Sequence, residues 1–468
     1  MCCKRKTSNF FQILPKKNTR APTFLQKNPS KVSKTFWILF SSANKTKRVA
    51  CLDLEFLHDG VPQMKLKAKA LPPKQNPPEL LRPEHLQDVN ATESDVHLQD
   101  VNATESDVKT TKYISYGVYT EIPELEKKSI KELLPLILSH PLVCSRRPIV
   151  QRYDHEVQAR TIRKPYGSIA HSAPGDGATL CLSRETYEGL AIGVGLAPRL
   201  SERDPKIALE RSIDEALRNA MCAGLDPSHA IFIDNFCWPD PVPPAPDAEE
   251  KCGALVVTCQ RLFEAATELE IPFISGKDSM KNDYQVGKFR ISVPPTILIT
   301  AAGKVQDVRN VPFSYALKQE KPQGIFWVSG QPDWSKVDFL KAKDFFKKFH
   351  SLVLENTIVS AHDVSDGGWL CATAEILFGT GIGAEINLEN IPAFLNPHDL
   401  FNEPATSFVL LAEEKSIQKV FDTFDGFFCK KVGALVSAPT LTIQLKNQQV
   451  CWEIEELERA YESFSFNR

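Results

Sequence analysis

The sequence predicts an α/β (α+β) protein in which two successive α/β domains follow a disordered N-terminal region. From about residue 113 onward, apolar runs of strand length alternate with amphipathic helical stretches. The first fifty residues differ from the rest, because they contain twelve Lys or Arg and no Asp or Glu. A boundary between the two domains is predicted near residues 311–322, after which a new apolar strand begins.

The composition of the chain argues against several classes of protein. The 468 residues are 42% hydrophobic and 24% charged, which is typical of a soluble globular chain of two or three domains. A net charge of −2 argues against nucleic-acid binding through bulk charge. No apolar run approaches about 20 residues, so no membrane span is predicted. The 12 cysteines include no C-x-x-C pair, which favours reduced thiols in a cytoplasmic protein without structural zinc.

The N-terminal quarter of the chain divides into three predicted segments. Residues 1–50 are interpreted as a disordered basic tail, since they have the composition of an organelle presequence but no amphipathic helix. Residues 51–66 begin with an apolar strand. Residues 67–111 form a proline-rich linker in which HLQDVNATESDV occurs at 85–96 and again, unchanged, at 97–108. Twelve polar residues are too few for a solenoid unit.

The first domain begins with a short helix predicted over residues 131–138, followed by strands near 179–182 and 190–194. Asp204 and Pro205 are typical of an N-cap and first turn, so they predict a helix that continues to about Gly224. The later elements expected here are strands near 230–234, 289–293 and 297–301, and a long helix over 252–269.

The second domain repeats this alternation on a smaller scale. Its predicted helices cover residues 337–354 and 369–377, and its predicted strands cover residues 324–329, 358–361, 408–411 and 441–445. The segment His362-Asp363-Val364-Ser365-Asp366-Gly367-Gly368 joins a strand to a helix start, where free N–H groups favour phosphate binding.

Polar residues are concentrated in the stretch SGKDSMKN at 275–282, which we expect to form a loop after a buried strand end. Gly276 permits close approach of a ligand, and Lys277, Asp278 and Ser279 follow it. Alone, this motif would favour a solvated hairpin loop, and only the other site residues favour a ligand site.

Acidic and amide oxygens also lie at the ends of other predicted elements. Asp176 follows Gly175 before a strand, and Glu215 and Asn219 share one helix face through their i,i+4 spacing. Asp234 and Asp363 each end a strand, and Ser365 follows Asp363. Oxygen ligands of this kind suit magnesium placed between carboxylates and phosphates, so together they predict a nucleotide–magnesium site.

Several separated stretches resemble one family in the right order. SGKDSMKN, VPPTILITAAGKV, AHDVSDGGW, ERSIDEALRNAMCAG and RRPIVQRYDHEVQ are similar to phosphoribosylformylglycinamidine synthase, of the aminoimidazole-ribonucleotide-synthetase-like superfamily. The resemblance covers residues 112–468 and is confined to the second half of that enzyme. It implies a synthetase-like N-terminal-type domain at 112–315 and a C-terminal-type domain at 322–468. The stretch within 51–66 resembles the end of a preceding domain.

The resemblance implies an ATP-dependent carbon–nitrogen ligase that converts formylglycinamide ribonucleotide to formylglycinamidine ribonucleotide with ATP and Mg²⁺. It implies Asp176, Glu215, Asn219 and Asp363 as magnesium ligands. It also implies ATP or substrate contacts at Gly175, Asp234, Gly276, Lys277, Ser279 and Ser365. No catalytic residue is assigned.

Three departures leave alternatives open. The first-half Ser-Glu-His-Cys-Ser-type motif has no counterpart, and His155 has a different context, so a structural role is expected for it. No glutaminase domain is recognised, so the first half and a glutaminase subunit are expected protein partners. Glu403 lies in an unusual Asn402-Glu403-Pro404 context and has no assigned role. The alternatives are a non-catalytic nucleotide–magnesium module or a homodimeric member of the superfamily.

Overall fold

The computed structural model describes residues 10–15, 35–42, 45–53, 68 and 128–463, except 155, 202–203, 288, 318–322, 332–336, 390–396 and 447. The predicted linker with its repeat, apart from Ala68, and His155 lie outside these residues. The chain divides into two compact units, Met1–Lys67 and Ala68–Arg468.

The first unit contains a three-stranded antiparallel sheet. Its strands are β1 (Phe10–Pro15), β2 (Thr35–Ser42) and β3 (Lys45–Asp53), in the order β1-β2-β3. The basic composition predicted a tail without stable structure here, so the structure differs from that expectation. The physical reason lies in β2, whose sequence TFWILFSS is rich in aromatic and β-branched residues that favour strands.

The helices of the second unit agree with the periodicity of the sequence, and the predicted helices are confirmed to within a few residues at their ends. They are α1 (Ile130–Leu138), α2 (Arg147–Val150), α3 (Pro198–Ser201), α4 (Pro205–Cys222), α5 (Ala248–Leu269), α6 (Phe339–Leu354), α7 (Gly368–Glu375), α8 (Ile417–Thr423) and α9 (Ile454–Tyr461). The Asp204 carboxylate caps α4 by accepting from the N–H groups of Lys206 and Ile207 at 2.9 and 3.2 Å.

The strands of the second unit form two large sheets and two small ones. They are β4 (Thr161–Arg163), β5 (Tyr166–Gly167), β6 (Ala173–Pro174), β7 (Ala178–Cys181), β8 (Gly189–Leu196), β9 (Ala230–Cys237), β10 (Phe273–Ser279), β11 (Asp283–Val286), β12 (Phe289–Ser292), β13 (Thr296–Val305), β14 (Gln323–Ser329), β15 (Ile358–Asp363), β16 (Gly383–Asn387), β17 (Ser407–Glu413), β18 (Phe428–Val436), β19 (Thr440–Leu445) and β20 (Gln448–Glu453).

One large sheet has the order β10-β9-β13-β8-β7-β4, with β9 and β10 parallel and the other pairs antiparallel. Helices α4 and α5 pack on one face of it. The other large sheet has the order β15-β17-β14-β18-β16-β19-β20. The predicted α/β (α+β) class is therefore confirmed.

Two apolar clusters form the core of the second unit. The first extends from α4 across β13 to the phenylalanines of α6, and Phe345 stacks on Phe424 with ring centroids 4.8 Å apart. The second includes Trp327 and Trp369, stacked at 5.0 Å. The first cluster joins residues of both large sheets, so they share one continuous apolar core. None of the helices described is both long and apolar enough to cross a membrane.

Candidate functional site

The site begins where α4 lies directly on β8. A Cβ on Gly195 would lie 2.0 Å from the carbonyl oxygen of Ser212, so only glycine permits this approach of helix and strand. The contact brings the Glu215 carboxylate to the end of β8, where it accepts from the N–H of Leu196 at 2.7 Å. One turn later, Nδ2 of Asn219 donates to the carbonyl of Val194 at 2.7 Å, which leaves its Oδ1 as an acceptor.

A second group comes from the loop before β7 and the end of β15. The backbone N–H of Asp363 donates to the Asp176 carboxylate at 3.3 Å, although 187 residues separate them. Nδ1 of His362 lies 3.0 Å from the same carboxylate. Donor atoms of Asp176, His362 and Asp363 all lie within 4.8 Å of one another, which is close enough for them to face one metal ion.

Ser365 connects these two groups. Its hydroxyl donates to the Glu215 carboxylate at 3.1 Å, across 150 residues of sequence. The structure therefore brings three segments together: the end of β15 with the loop after it, the loop before β7, and α4. These segments carry the four predicted metal ligands, Asp176, Glu215, Asn219 and Asp363. Gly175 directly precedes Asp176 in the loop before β7, and its N–H donates to the carbonyl of Pro165 at 2.8 Å.

The centre of the site contains a buried cation that the sequence did not reveal. The Arg218 guanidinium is fully buried and contacts the carboxylates of Asp214 at 3.0 Å and Asp363 at 2.9 Å. It also donates to the carboxylate of Glu403 and to the carbonyl of Val364. One arginine therefore joins α4 to the end of β15 and gives Glu403 a structural contact.

Burial and charge perturb the acids around Arg218. Burial, reinforced by Glu403, raises the pKa of Glu215 to about 8. Burial also raises the pKa of Asp363 well above its ordinary range, with Asp176 and Glu215 contributing, although Arg218 opposes the change. These groups are costly to keep charged in the absence of a cation.

His362 and Glu375 extend this cluster inward. Burial disfavours a charged His362, but Asp176 and Glu375 outweigh it and raise the pKa of the imidazole. Burial raises the pKa of Glu375 to about 7, although His362 opposes the change. The Nε2 atom of His362 lies 3.4 Å from the Glu375 carboxylate, so this acid and Asp176 hold the ring from both sides.

The stretch at 275–282 is placed differently from the expectation. Residues predicted to form a loop belong instead to β10, because they pair in parallel with β9, with Gly276 opposite Asp234. A Cβ on Gly276 would lie 2.7 Å from Oδ1 of Asp234, so the missing side chain makes room for this carboxylate. Burial raises the pKa of Asp234, and Asp278 adds to the shift.

The predicted substrate residues divide between the two faces of the sheet. Successive side chains of a strand point to opposite faces. Asp234 and Gly276 therefore share the face that carries the helices, whereas Lys277 and Ser279 lie on the other. The Ser279 hydroxyl is 3.1 Å from Oδ1 of Asn282.

Three functional candidates were missed in the sequence: Arg218, His362 and Glu375. Arg218 stands four residues after Asp214, a spacing that could have indicated an ion pair on α4. His362 directly precedes Asp363 and could have been included with it. Glu375 gave no signal, because an acid near the end of α7 is more often exposed.

A family model described as "AIR synthase related protein, C-terminal domain" matches residues 323–446. The phosphoribosylformylglycinamidine synthase subunit PurL of Pyrobaculum islandicum is 27% identical over 335 residues, which are 67% of this chain and 45% of that protein. The PurL subunit of Methanocaldococcus jannaschii is 26% identical over 361 residues, or 72% and 46% of the two chains. The chain is therefore PurL-like: it is similar to these PurL subunits over 67% and 72% of its length, and residues 323–446 match the AIR synthase C-terminal domain.

The solved structure of PurLQS from Thermotoga maritima aligns with this PurL-like chain with a TM-score of 0.53 at 16% identity, covering 72% of this chain and 54% of that one. T. maritima PurL complexed with ATP gives 0.52 at 14% identity, covering 71% and 52%. At this identity the likeness supports the fold alone. The PurL-like chain spans about 45% of the length of the P. islandicum protein.

The donor set of the PurL-like chain fits magnesium. Magnesium prefers oxygen ligands, and the site offers carboxylates from Asp176, Glu215 and Asp363 with the amide oxygen of Asn219. His362 contacts Asp176 and is better suited to orienting that carboxylate than to binding a hard cation.

Proposed function

We propose that this PurL-like chain binds ATP with Mg²⁺ and serves the ATP-dependent conversion of formylglycinamide ribonucleotide to formylglycinamidine ribonucleotide in purine biosynthesis. The observation that carries the proposal is the convergence of three distant segments at 3.1 and 3.3 Å, through Ser365 with Glu215 and Asp363 with Asp176. Such convergence of acids is costly unless a cation offsets it.

Each residue has a role in this proposal. Asp176, Glu215, Asn219 and Asp363 hold the metal, and Ser365 and the Gly175 turn contact the nucleotide. A bound magnesium ion neutralises phosphate charge and positions the phosphoryl group. Arg218 fixes Asp363 through its 2.9 Å contact.

The substrate side is assigned to residues of β9 and β10. Gly276 leaves space for the Asp234 carboxylate, which is partly buried and next to Asp278. Lys277 and Ser279 lie on the opposite face of the sheet, so a ligand that contacts both pairs must reach around the end of the strands. We assign Lys277 to the binding of an anionic group.

Turnover is proposed to need protein partners. The P. islandicum relative is more than twice as long as the matched part, and the name PurLQS of the T. maritima structure suggests an assembly of that protein. We propose a PurL-type first half and a glutaminase subunit as partners, with ammonia supplied by the latter. The cytoplasm is the proposed location, since the nine cysteines within residues 128–463 are all free thiols.

A second function is favoured by one observation. Arg218 already compensates Asp214, Asp363 and Glu403, so the site is partly neutralised before any ligand binds. This arrangement suits a nucleotide–magnesium module that stabilises a separate catalytic half and does not itself turn over.

Calorimetric titration of the full chain with ATP tests the metal site. Binding is expected to require Mg²⁺, and Asp176→Asn is expected to weaken it by at least about tenfold, because one charged ligand is lost. Glu355→Gln is the matched control, since Glu355 is an exposed acid that forms an ion pair with Lys419. Unchanged affinity in Asp176→Asn would contradict the metal assignment.

An ammonia-dependent assay with formylglycinamide ribonucleotide separates the two functions. A catalytic subunit gains turnover when a first half is added, and Asp176→Asn lowers that rate. If Asp176→Asn loses ATP binding but the assembly keeps its full rate, the site is a non-catalytic module.

A further inference from the structure

A cavity lies away from the candidate magnesium site. It has a volume of about 390 Å³ and is lined by residues of β4, β7 and the loops next to the first large sheet: Ala159, Ile162, Arg163, Cys181, Arg184, Tyr187, Val308, Arg309 and Phe313. We refer to it as the Tyr187 cavity. Its size is within the range of small-molecule sites.

The sheet itself separates the two sites. Strand β8 starts beside the cavity, because a Cβ on Gly189 would lie 2.4 Å from Cγ1 of Val308. The same strand ends at Leu196, whose N–H donates to Glu215. An eight-residue strand spans roughly 20 Å, so the Tyr187 cavity and the magnesium site lie at opposite ends of β8.

The cavity wall is strongly basic. Three of its nine lining residues are arginines and none is acidic. Arg309 is compensated by Asp307, whose carboxylate accepts from its Nε at 2.9 Å. Arg163 and Arg184 differ, because their guanidinium groups donate to backbone carbonyls: Arg163 to Pro312 at 2.8 Å and Arg184 to Ala159 at 3.2 Å.

Across the described ranges, no carboxylate forms an ion pair with either Arg163 or Arg184. Burial lowers the pKa of Arg163 to about 10, although Tyr315 opposes the shift. Arg163 is partly buried, so its guanidinium is costly to leave without a counter-charge, whereas Arg184 is exposed. An anion between Arg163 and Arg184 would compensate both and use their remaining N–H donors.

Aromatic rings stand beside these charges. The ring of Tyr187 is 39% exposed, and the guanidinium of Arg309 lies 4.0 Å from its centroid. The guanidinium of Arg163 lies 4.2 Å from the centroid of Phe313. Tyr187 also adopts φ +59°, an unusual conformation for a bulky residue. Exposed aromatic rings bind flat bases by stacking.

We propose that the Tyr187 cavity binds a nucleoside monophosphate, with its phosphate on Arg163 and Arg184 and its base against Tyr187. The two uncompensated arginines match the charge of one phosphate monoester. The volume suits a mononucleotide. This site needs no metal and is independent of the proposed magnesium–ATP site.

The test is a calorimetric titration of the full chain with AMP in EDTA, which removes magnesium. Saturable binding is expected, and Arg184→Ala should weaken it by about tenfold or more, because a charge-assisted contact is lost. Lys419→Ala is the matched control: it removes one exposed positive charge from a different surface and should leave the affinity unchanged. A thermal melt of each variant checks that the fold is retained.

Titrations with other ligands and with two more variants complete the test. Inorganic phosphate and adenosine should each bind more weakly than AMP, and Tyr187→Leu should weaken AMP but not phosphate. Asp176→Asn should keep AMP binding in EDTA, which separates this proposal from the magnesium site. The proposal is overturned if AMP does not saturate at millimolar concentration, if folded Arg184→Ala binds AMP as tightly as the parent, or if phosphate binds as tightly as AMP.

Discussion

Arg218 and Asp363 form an ion pair of 2.9 Å between the C-terminal part of α4 and the end of β15, although 145 residues separate them in sequence. Both side chains are almost completely buried. Because the same guanidinium also contacts Asp214 and Glu403, it compensates charge that three separate segments bring into the core. The pKa of Arg218 is raised, since these carboxylates outweigh the effect of burial.

Replacing Arg218 by methionine should destabilise the protein strongly. The side chain of methionine has a similar reach, but Asp214 and Asp363 would remain buried without a counter-charge, which typically costs about 3–5 kcal/mol. Urea unfolding measures the change. Lys419→Met is the control, because it breaks an exposed pair with Glu355 and should cost about 1 kcal/mol or less. Equal urea midpoints for the two variants would refute the role of Arg218.

The sequence was most informative where a local pattern has one physical cause. The cap at Asp204 and the apolar face that follows predicted α4, and the structure agrees. The stretch at 275–282 was less informative, because its polar residues are typical of a loop, whereas pairing with β9 makes Phe273–Ser279 a strand. Strand pairing of this kind depends on distant residues and overrides local preference.

In the candidate site, too, local sequence predicted some residues, whereas others became visible only in the fold. Asp176, Glu215, Asn219 and Asp363 could be selected as oxygen donors from residue type and spacing, and the structure places them on three neighbouring segments. Arg218 could not be selected, because an arginine on an amphipathic helix is usually exposed. Only the packing of α4 against β15 shows that its guanidinium lies between carboxylates.

Gly276→Ala should destabilise the sheet. The new Cβ would lie 2.7 Å from Oδ1 of Asp234, so either the carboxylate or the strand must move, at a typical cost of about 1–3 kcal/mol. Thermal unfolding measures the loss. In an Asp234→Ala background the clash is absent, and the same substitution should cost clearly less. If the two costs are equal, the contact with Asp234 is not the reason for glycine at this position.

His350 should make stability depend on pH. Its imidazole is 7% exposed, and neither ring nitrogen has a hydrogen-bond partner in the described part of the chain. Burial lowers its pKa below the ordinary value of 6.5, although Asp226 at 3.9 Å opposes the shift. The unfolded chain therefore takes up a proton first, and stability is lost as pH falls below 6.5.

The variant His350→Phe keeps a ring of similar size and cannot be protonated. Its urea midpoint should fall less than that of the parent between about pH 6.5 and pH 5. His171→Phe is the control for the substitution itself, because His171 is exposed. Parallel pH profiles for the parent and His350→Phe would show that His350 is not the group responsible.

Lys277→Ala should leave the affinity for ATP with Mg²⁺ within about twofold of the parent value. The register across the sheet runs from Lys277 to Asn235, Leu298 and Leu196, so Lys277 is three strand spacings, or about 14 Å, from the strand end that contacts Glu215. Its side chain also points away from the face that carries α4.

Ser365→Ala is the informative comparison for Lys277→Ala, because its hydroxyl contacts Glu215 directly at 3.1 Å. Its loss should weaken the affinity by several-fold, as expected for one hydrogen bond to a charged group. Calorimetry on both variants in the same magnesium buffer measures the difference. If Lys277→Ala weakens ATP binding as much as Ser365→Ala does, the nucleotide extends across the sheet edge and Lys277 contacts its phosphates.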